Sequence, residues 1–220
     1  MNLYGRVTTL ARRPVTRFEE AVQEDVPTEM LPKLLDNRRI YQKTLQLRPG
    51  RYRFTLAAND AASGKQTIYP LALDVPQIED GMLGSSSLIL ADQIENVPGW
   101  IDGVSQFVIG ASKVRPRVDN AFHREETLGI YLQAYNFEPD DQTHKGQGSV
   151  RYDFVKADTN EIVSTITEDV SSLPGGAAQV RLQHLMPLKN FEPGAYILKV
   201  TIVDTQRNQT VAQAADFRVL

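Results

Sequence analysis

Residues able to carry chemistry are few in this chain and widely spaced. Histidine occurs three times, at His123, His144 and His184. No two of them stand at metal-ligand spacing, and no HExxH is present. His123 precedes Glu125 and Glu126 in "NAFHREE", where carboxylates could meet a divalent ion, but the charges read as an ordinary loop before a strand. His144 closes the acidic stretch "EPDDQTH" from Glu138, which lacks the DxDxDG pattern of a calcium loop. The chain has no cysteine, so thiolate nucleophiles, thiolate metal sites and disulfides are excluded. Ser85, Ser86 and Ser87 lie in no GxSxG, and "SGKQT" (63–67) lacks the upstream glycine of a phosphate loop. No catalytic, cofactor-binding or metal residue is therefore assigned, and a non-enzymatic protein without a cofactor is expected. The remaining candidates are aromatic. Trp100 is the single tryptophan, in "VPGWIDG", where it either plugs a junction or offers a stacking platform. Tyr131 and Tyr135 are four apart and share one face of a predicted strand. These three are the candidate binding residues.

The elements that would position them are strands. Hydrophobic residues make up 41% of the 220, enough for a core. Net charge is −3 with Lys and Arg scattered, which argues against nucleic acid as the main partner. No apolar run approaches the roughly 20 residues of a membrane helix, and "MNLYGRVTTLARRP" shows no signal-peptide pattern. The best helical stretch, 27–37, is interrupted by Pro32. Period-two alternation is common: Tyr52, Phe54, Leu56 and Ala58 oppose Arg51, Arg53 and Thr55, and Tyr196, Leu198, Val200 and Ile202 oppose Lys199 and Thr201. Further strands are expected at 4–9, 15–22, 39–47, 67–75, 87–91, 107–114, 128–137, 150–157, 162–170 and 178–185. Turn formers such as "ASGK", "LPGG" and "QRNQ" separate them. Many short strands with turns every 8–12 residues predict an all-β fold of sandwich type.

The sequence also repeats. "LRPGRYRFTLAAND" (47–60) and "FEPGAYILKVTIVD" (191–204) align at an offset of 144. The match extends to Leu73/Phe217 and Val75/Val219, and places Gly64 opposite Asn208, the types most tolerant of a left-handed backbone. Upstream, "YGRVTTLARRPVTRFEEAV" and "YDFVKADTNEIVSTITEDV" align at 148, pairing Tyr4 with Tyr152 and Glu20 with Glu168. Two tandem immunoglobulin-like or fibronectin-III-like sandwiches are predicted: 1–92, a linker at 93–105, and 106–220. A tyrosine directly after a Pro-Gly turn is the pattern of a tyrosine corner. Pro49, Gly50 and Tyr52 form one expected corner, and Pro193, Gly194 and Tyr196 the other. The second domain has a full strand set, whereas the first has counterparts only from the third strand onward. The chain is therefore expected to continue a longer polypeptide upstream, with its first sandwich cut.

The order "LRPGRYRFTLAAND", "LGSSSLILAD", "FVIGASKVRPRVDNAFHREETLGIYLQAYNF" and "FEPGAYILKVTIVD" resembles the C-terminal region of bacterial GWxTD-domain proteins, exported proteins found largely in acidobacteria. The resemblance spans nearly the whole chain. It implies a periplasmic, cell-surface or secreted location and transfers no functional residues; "PGWID" (98–102) is not the GWxTD motif itself. The expected function is a non-catalytic structural or protein/glycan-interaction module of a larger exported protein. The alternative is an accessory carbohydrate-binding unit of a secreted enzyme, marked by exposed coplanar aromatics.

Overall fold

The structure is a computed structural model, and it describes residues 1–22, 40–61, 63–97 and 107–220. The helical stretch 27–37 and Trp100 lie outside the described residues. The chain is nearly all β, in sheets that are antiparallel apart from one short parallel pair at 121–122 and 218–219. It divides into two units, Met1–Gln77 and Ile78–Leu220.

Among the described residues the first unit forms one sheet of β1 (Asn2–Thr9), β2 (Pro14–Ala21), β3 (Gly50–Asn59) and β4 (Gln66–Val75), in the order β2-β1-β3-β4. The second unit holds β5 (Gly84–Ser85), β6 (Ile89–Asn96), β7 (Val108–Ile109), β8 (Ser112–Pro116), β9 (Ala121–Phe122) and β10 (Thr127–Tyr135). It continues with β11 (Gly148–Lys156), β12 (Ile162–Asp169), β13 (Gly175–Gly176), β14 (Gln179–Pro187), β15 (Gly194–Asp204) and β16 (Gln209–Val219). One sheet runs β13-β14-β10-β6-β8-β7 with β5 also on β10; the other runs β12-β11-β15-β16-β9. Leu128, Ile130 and Leu132 of the first meet Tyr152, Phe154, Leu198, Val200 and Ile202 of the second in one buried core. Each such side chain contributes about 1.5–3 kcal/mol on burial. A sheet hydrophobic on one face needs a covering layer, and here each sheet covers the other.

The boundary lies earlier than the expected linker at 93–105. Residues 89–96 form β6, which hydrogen-bonds to β10 and β8 of the second unit, so the stretch around 78–97 belongs there. A strand is assigned by the ladder it joins, which composition does not report. The expected strand at 107–114 is instead a short hairpin, β7 and β8, turned at Gly110 with φ 61°.

The repeat is physical. The order β2-β1-β3-β4 recurs as β12-β11-β15-β16, and in both units the bulge between the first two strands falls at matching residues, Val7/Thr8 and Phe154/Val155. β3 and β4 keep the offset of 144: Gly50 pairs Val75 as Gly194 pairs Val219. Gly64 and Asn208 both take positive φ, 68° and 52°. The upstream alignment needs a correction of one residue. Leu3 pairs Ala58 and Val150 pairs Ile202, so β1 matches β11 at 147 (150 minus 3), whereas β2 matches β12 at 148, Glu20 facing Leu3 as Glu168 faces Val150. The hairpin between them is one residue shorter in the first unit, closing from Thr9 to Arg13 against Lys156 to Glu161. Gly5, not Tyr4, is the counterpart of Tyr152. Tyr4 is exposed and Tyr152 is buried, because a slip of one residue turns a strand side chain to the opposite face.

Both tyrosine corners are formed. Tyr52 Oη donates to Arg48 O at 2.8 Å, and Tyr196 Oη donates to Glu192 O at 2.8 Å. Gly50 and Gly194 turn the chain at φ 146° and 157°, and both rings are buried. The expected strand at 39–47 is not one over its described part: 40–48 is irregular. Counted back from the matched corners, this segment corresponds to the end of β14. That strand exists because it pairs with β10, and the described part of the first unit contains no counterpart of β10.

Candidate functional site

The histidines and acids are built into the scaffold. Glu126 Oε2 accepts from the backbone N–H of His123 at 2.6 Å, and Glu126 also pairs with Arg117. Asp140 accepts from Thr143 N and Oγ1, which holds its carboxyl below the usual range and fixes the "EPDDQTH" loop. His184 Nδ1 lies 3.1 Å from Glu168 Oε1, and Tyr152 Oη donates to Glu168 Oε2 at 2.9 Å. The Tyr152 ring is sealed in the core beside His184, and burial first, then Glu168, pushes its phenol well up. Asp204 is fully buried; it accepts from Glu138 N, Gln206 N and Arg207 N and so closes the β15–β16 hairpin. Among the described residues no three His, Asp or Glu side chains converge on a common point.

Tyr131 and Tyr135 project from the outer face of the seven-stranded sheet, away from the main core. Tyr131 is only 1% exposed, because Ala91, Val114, Ile94 and Ile109 pack around it in a second small apolar cluster. Its hydroxyl donates to Ile109 O at 3.2 Å and accepts from Gln133 Nε2 at 3.0 Å. Tyr135 Oη donates to Gln133 Oε1 at 2.7 Å. Burial raises both phenols above their ordinary value. The two tyrosines do share a face, but the Tyr131 ring is not a stacking platform: the β7–β8 hairpin folds against it, a contact that strand alternation does not foresee.

Tyr131 and Gln133 of this network line a cleft of about 240 Å³. Its walls are the β7–β8 turn (Ile109, Gly110, Ala111), Tyr131 and Gln133 of β10, Pro174 and Gly175, and Gln179 and Arg181 of β14. Arg181 stands directly opposite Gln133 in the ladder. Sequence reasoning found the tyrosines but not Arg181, which is separated from Tyr131 by fifty residues and meets it only through β10–β14 pairing. A larger open cleft of about 570 Å³ lies behind the second tyrosine corner, between Asp119–Ala121, Ala157 and Asp216–Arg218.

The first unit presents a different surface. On one face of its sheet lie Leu3, Gly5, Val7, Phe18, Tyr52, Phe54, Leu56, Tyr69 and Leu71. Tyr41 stacks on Phe18 and covers the β2 side, but Tyr69 is 61% and Leu71 51% exposed on the β4 side. The opposite face carries Arg6, Arg17, Arg51 and Arg53, with Arg6 directly opposite Arg17. Pairing gathers these cations, which look scattered along the sequence. No helix among the described residues is long and apolar enough to cross a membrane. No protein-family model matches the chain, and no curated protein matches it.

Proposed function

We propose that the chain is a non-catalytic structural or interaction module of a larger exported bacterial protein, built from tandem immunoglobulin-like units. The observation that carries the interaction reading is the apolar face of the first unit. Its counterpart in the second unit, Leu198, Val200, Ile202 and Phe217, is fully covered by an opposing sheet. In the first unit, Phe54 and Leu56 are half-buried, and Tyr69 and Leu71 stand exposed where the second unit has Gln213 and Ala215. Large apolar residues on an open sheet face mark a surface for another polypeptide. Pro70 lies on the free edge strand and discourages edge-to-edge pairing, leaving the face as the docking element. The envelope location and the link to a longer polypeptide rest on the resemblance to GWxTD-domain proteins.

The test uses the full chain. Native protein is expected to bind a hydrophobic dye such as bis-ANS or to self-associate in light scattering. Leu71→Asp should abolish either behaviour while the hydrogen-exchange pattern of 78–220 stays unchanged. A native chain that is monomeric and binds no dye would show the face to be covered, and the proposal would fall.

A further inference from the structure

We infer that the cleft on the outer face of the seven-stranded sheet is a binding site for a carboxylate group, held by Arg181. The inference stands apart from the docking role of the first unit, since every residue in it belongs to 78–220.

Among the described residues that line the cleft, Arg181 is the only charged one and none is a carboxylate. Its guanidinium donates to no described residue and forms no ion pair with one; its Nε is sealed from solvent, so a ligand in the cleft meets it through the two terminal nitrogens. A guanidinium that lines a cleft without a partner leaves its terminal donors to whatever anion enters. The neighbouring polar atoms do not engage them. Gln133 Oε1 is engaged by Tyr135, Gln133 Nε2 by Tyr131, and the Tyr131 hydroxyl by the Ile109 carbonyl. Across the same sheet, Gln183 Oε1 takes the Ser112 hydroxyl. The network is closed on itself and leaves a surplus of donors centred on Arg181.

A planar carboxylate matches that surplus. The guanidinium fork donates two parallel hydrogen bonds to two oxygens, a geometry that an ammonium does not reproduce. Gln179, opposite Tyr135 in the ladder, lies in the same cleft and has an amide available as a further donor. The wall is rigid before any ligand arrives: Tyr131 is clamped in its apolar cluster, and Arg181 N donates to Pro174 O at 2.9 Å, fixing the strand that carries the guanidinium. A prearranged wall spares the ligand the entropic cost of ordering it. The volume suits one small acidic group, either the side chain of an acidic polypeptide or one uronic acid residue.

The test is a titration of the full chain followed by NMR at the arginine Nε–Hε resonances. Two carboxylate probes are used, N-acetylglutamate N-methylamide and glucuronate, each beside its neutral analogue, N-acetylglutamine N-methylamide and glucose. A saturable shift of the Arg181 Hε signal with either carboxylate, and none with its neutral analogue, is expected. The probe that binds more tightly identifies the source of the acid. Arg181→Lys, which keeps the charge and loses the fork, should weaken binding roughly tenfold or more. Arg181→Met should abolish it, with backbone resonances of β10 and β14 in place. No saturable shift with either carboxylate in the unsubstituted protein, or equal shifts with the neutral analogues, would overturn the assignment, and that result does not depend on any variant folding.

Discussion

Glu20 and Glu168 occupy the same place in the two units, and each receives a tyrosine hydroxyl and a nitrogen base. The suppliers differ. In the second unit the hydroxyl is Tyr152, from β11, and the base is His184, from β14. In the first unit β11's counterpart has Gly5 at that position, and Phe18 of β2 fills the vacated volume: a Cβ on Gly5 would lie 2.1 Å from its ring. The hydroxyl comes instead from Tyr41, which stacks on Phe18 and donates to Glu20, and Lys43 pairs with the same carboxylate. Tyr41 and Lys43 sit on the irregular segment that corresponds to the end of β14. The comparison teaches that the network around the glutamate is a requirement of the sheet, met by whichever segment lies over it. In the second unit that segment is a laddered strand inside a sandwich; in the first it is a loop strapped by side chains, and Tyr69 and Leu71 at the β4 side of the face stay exposed.

The comparison can be broken most sharply in the core. Leu198→Ala should destabilise the second unit by about 2–5 kcal/mol, since the side chain is fully enclosed. Its counterpart Phe54→Ala should cost the first unit only about 1 kcal/mol, because Phe54 is half-buried. Hydrogen exchange resolved by peptide separates the two, and equal losses would mean that the first face is covered as well as the second. Next, Gly5→Ala should destabilise the first unit by about 1–3 kcal/mol through overpacking against Phe18. Adding Phe18→Ala should make the alanine at position 5 tolerable, and thermal melts of the double variant would show it.

Smaller effects probe the shared features. Tyr52→Phe and Tyr196→Phe each remove one hydroxyl–carbonyl bond and should cost about 0.5–1.5 kcal/mol, alike in both units, by denaturant titration followed with unit-specific exchange. The smallest effect is with pH. The Lys43 and then the Tyr41 hydrogen bond hold the Glu20 carboxyl below its ordinary value of 4.5. Its contribution is therefore complete above 4.5 and lost as pH falls through the lowered value. Burial, then Glu20, pushes the Tyr41 phenol up to about 12. That contribution is complete below the ordinary value of 10.0 and fades as pH rises toward 12. Glu20→Gln should flatten the acid limb of first-unit exchange while leaving the second unit unchanged; an equal change in both would dissolve the distinction.

Much of the fold was legible because strands advertise themselves. The alternation at 52–58 and 196–202, the Pro-Gly turns, and the Gly64/Asn208 match are local signals with local causes, and the structure forms β3, β4, β15 and β16 with the expected pairing. The upstream register differs by one residue from the letter match of Tyr4 with Tyr152, because burial sets the register and the letters do not display it. The site was legible in part. Tyr131 and Tyr135 share a face as spacing requires, but the β7–β8 hairpin that buries Tyr131 and the β14 strand that brings Arg181 are distant in sequence.

The sequence by itself determined the β character, the repeat and both tyrosine corners, because each depends on side-chain period or on turn residues within about a dozen positions. Tertiary structure decided which segments became strands, where the units divide, and what each glutamate and arginine faces. Those outcomes depend on whether a partner strand exists to complete a ladder. The segment at 40–48 and β14 start from comparable patterns, yet only β14 has a β10 beside it.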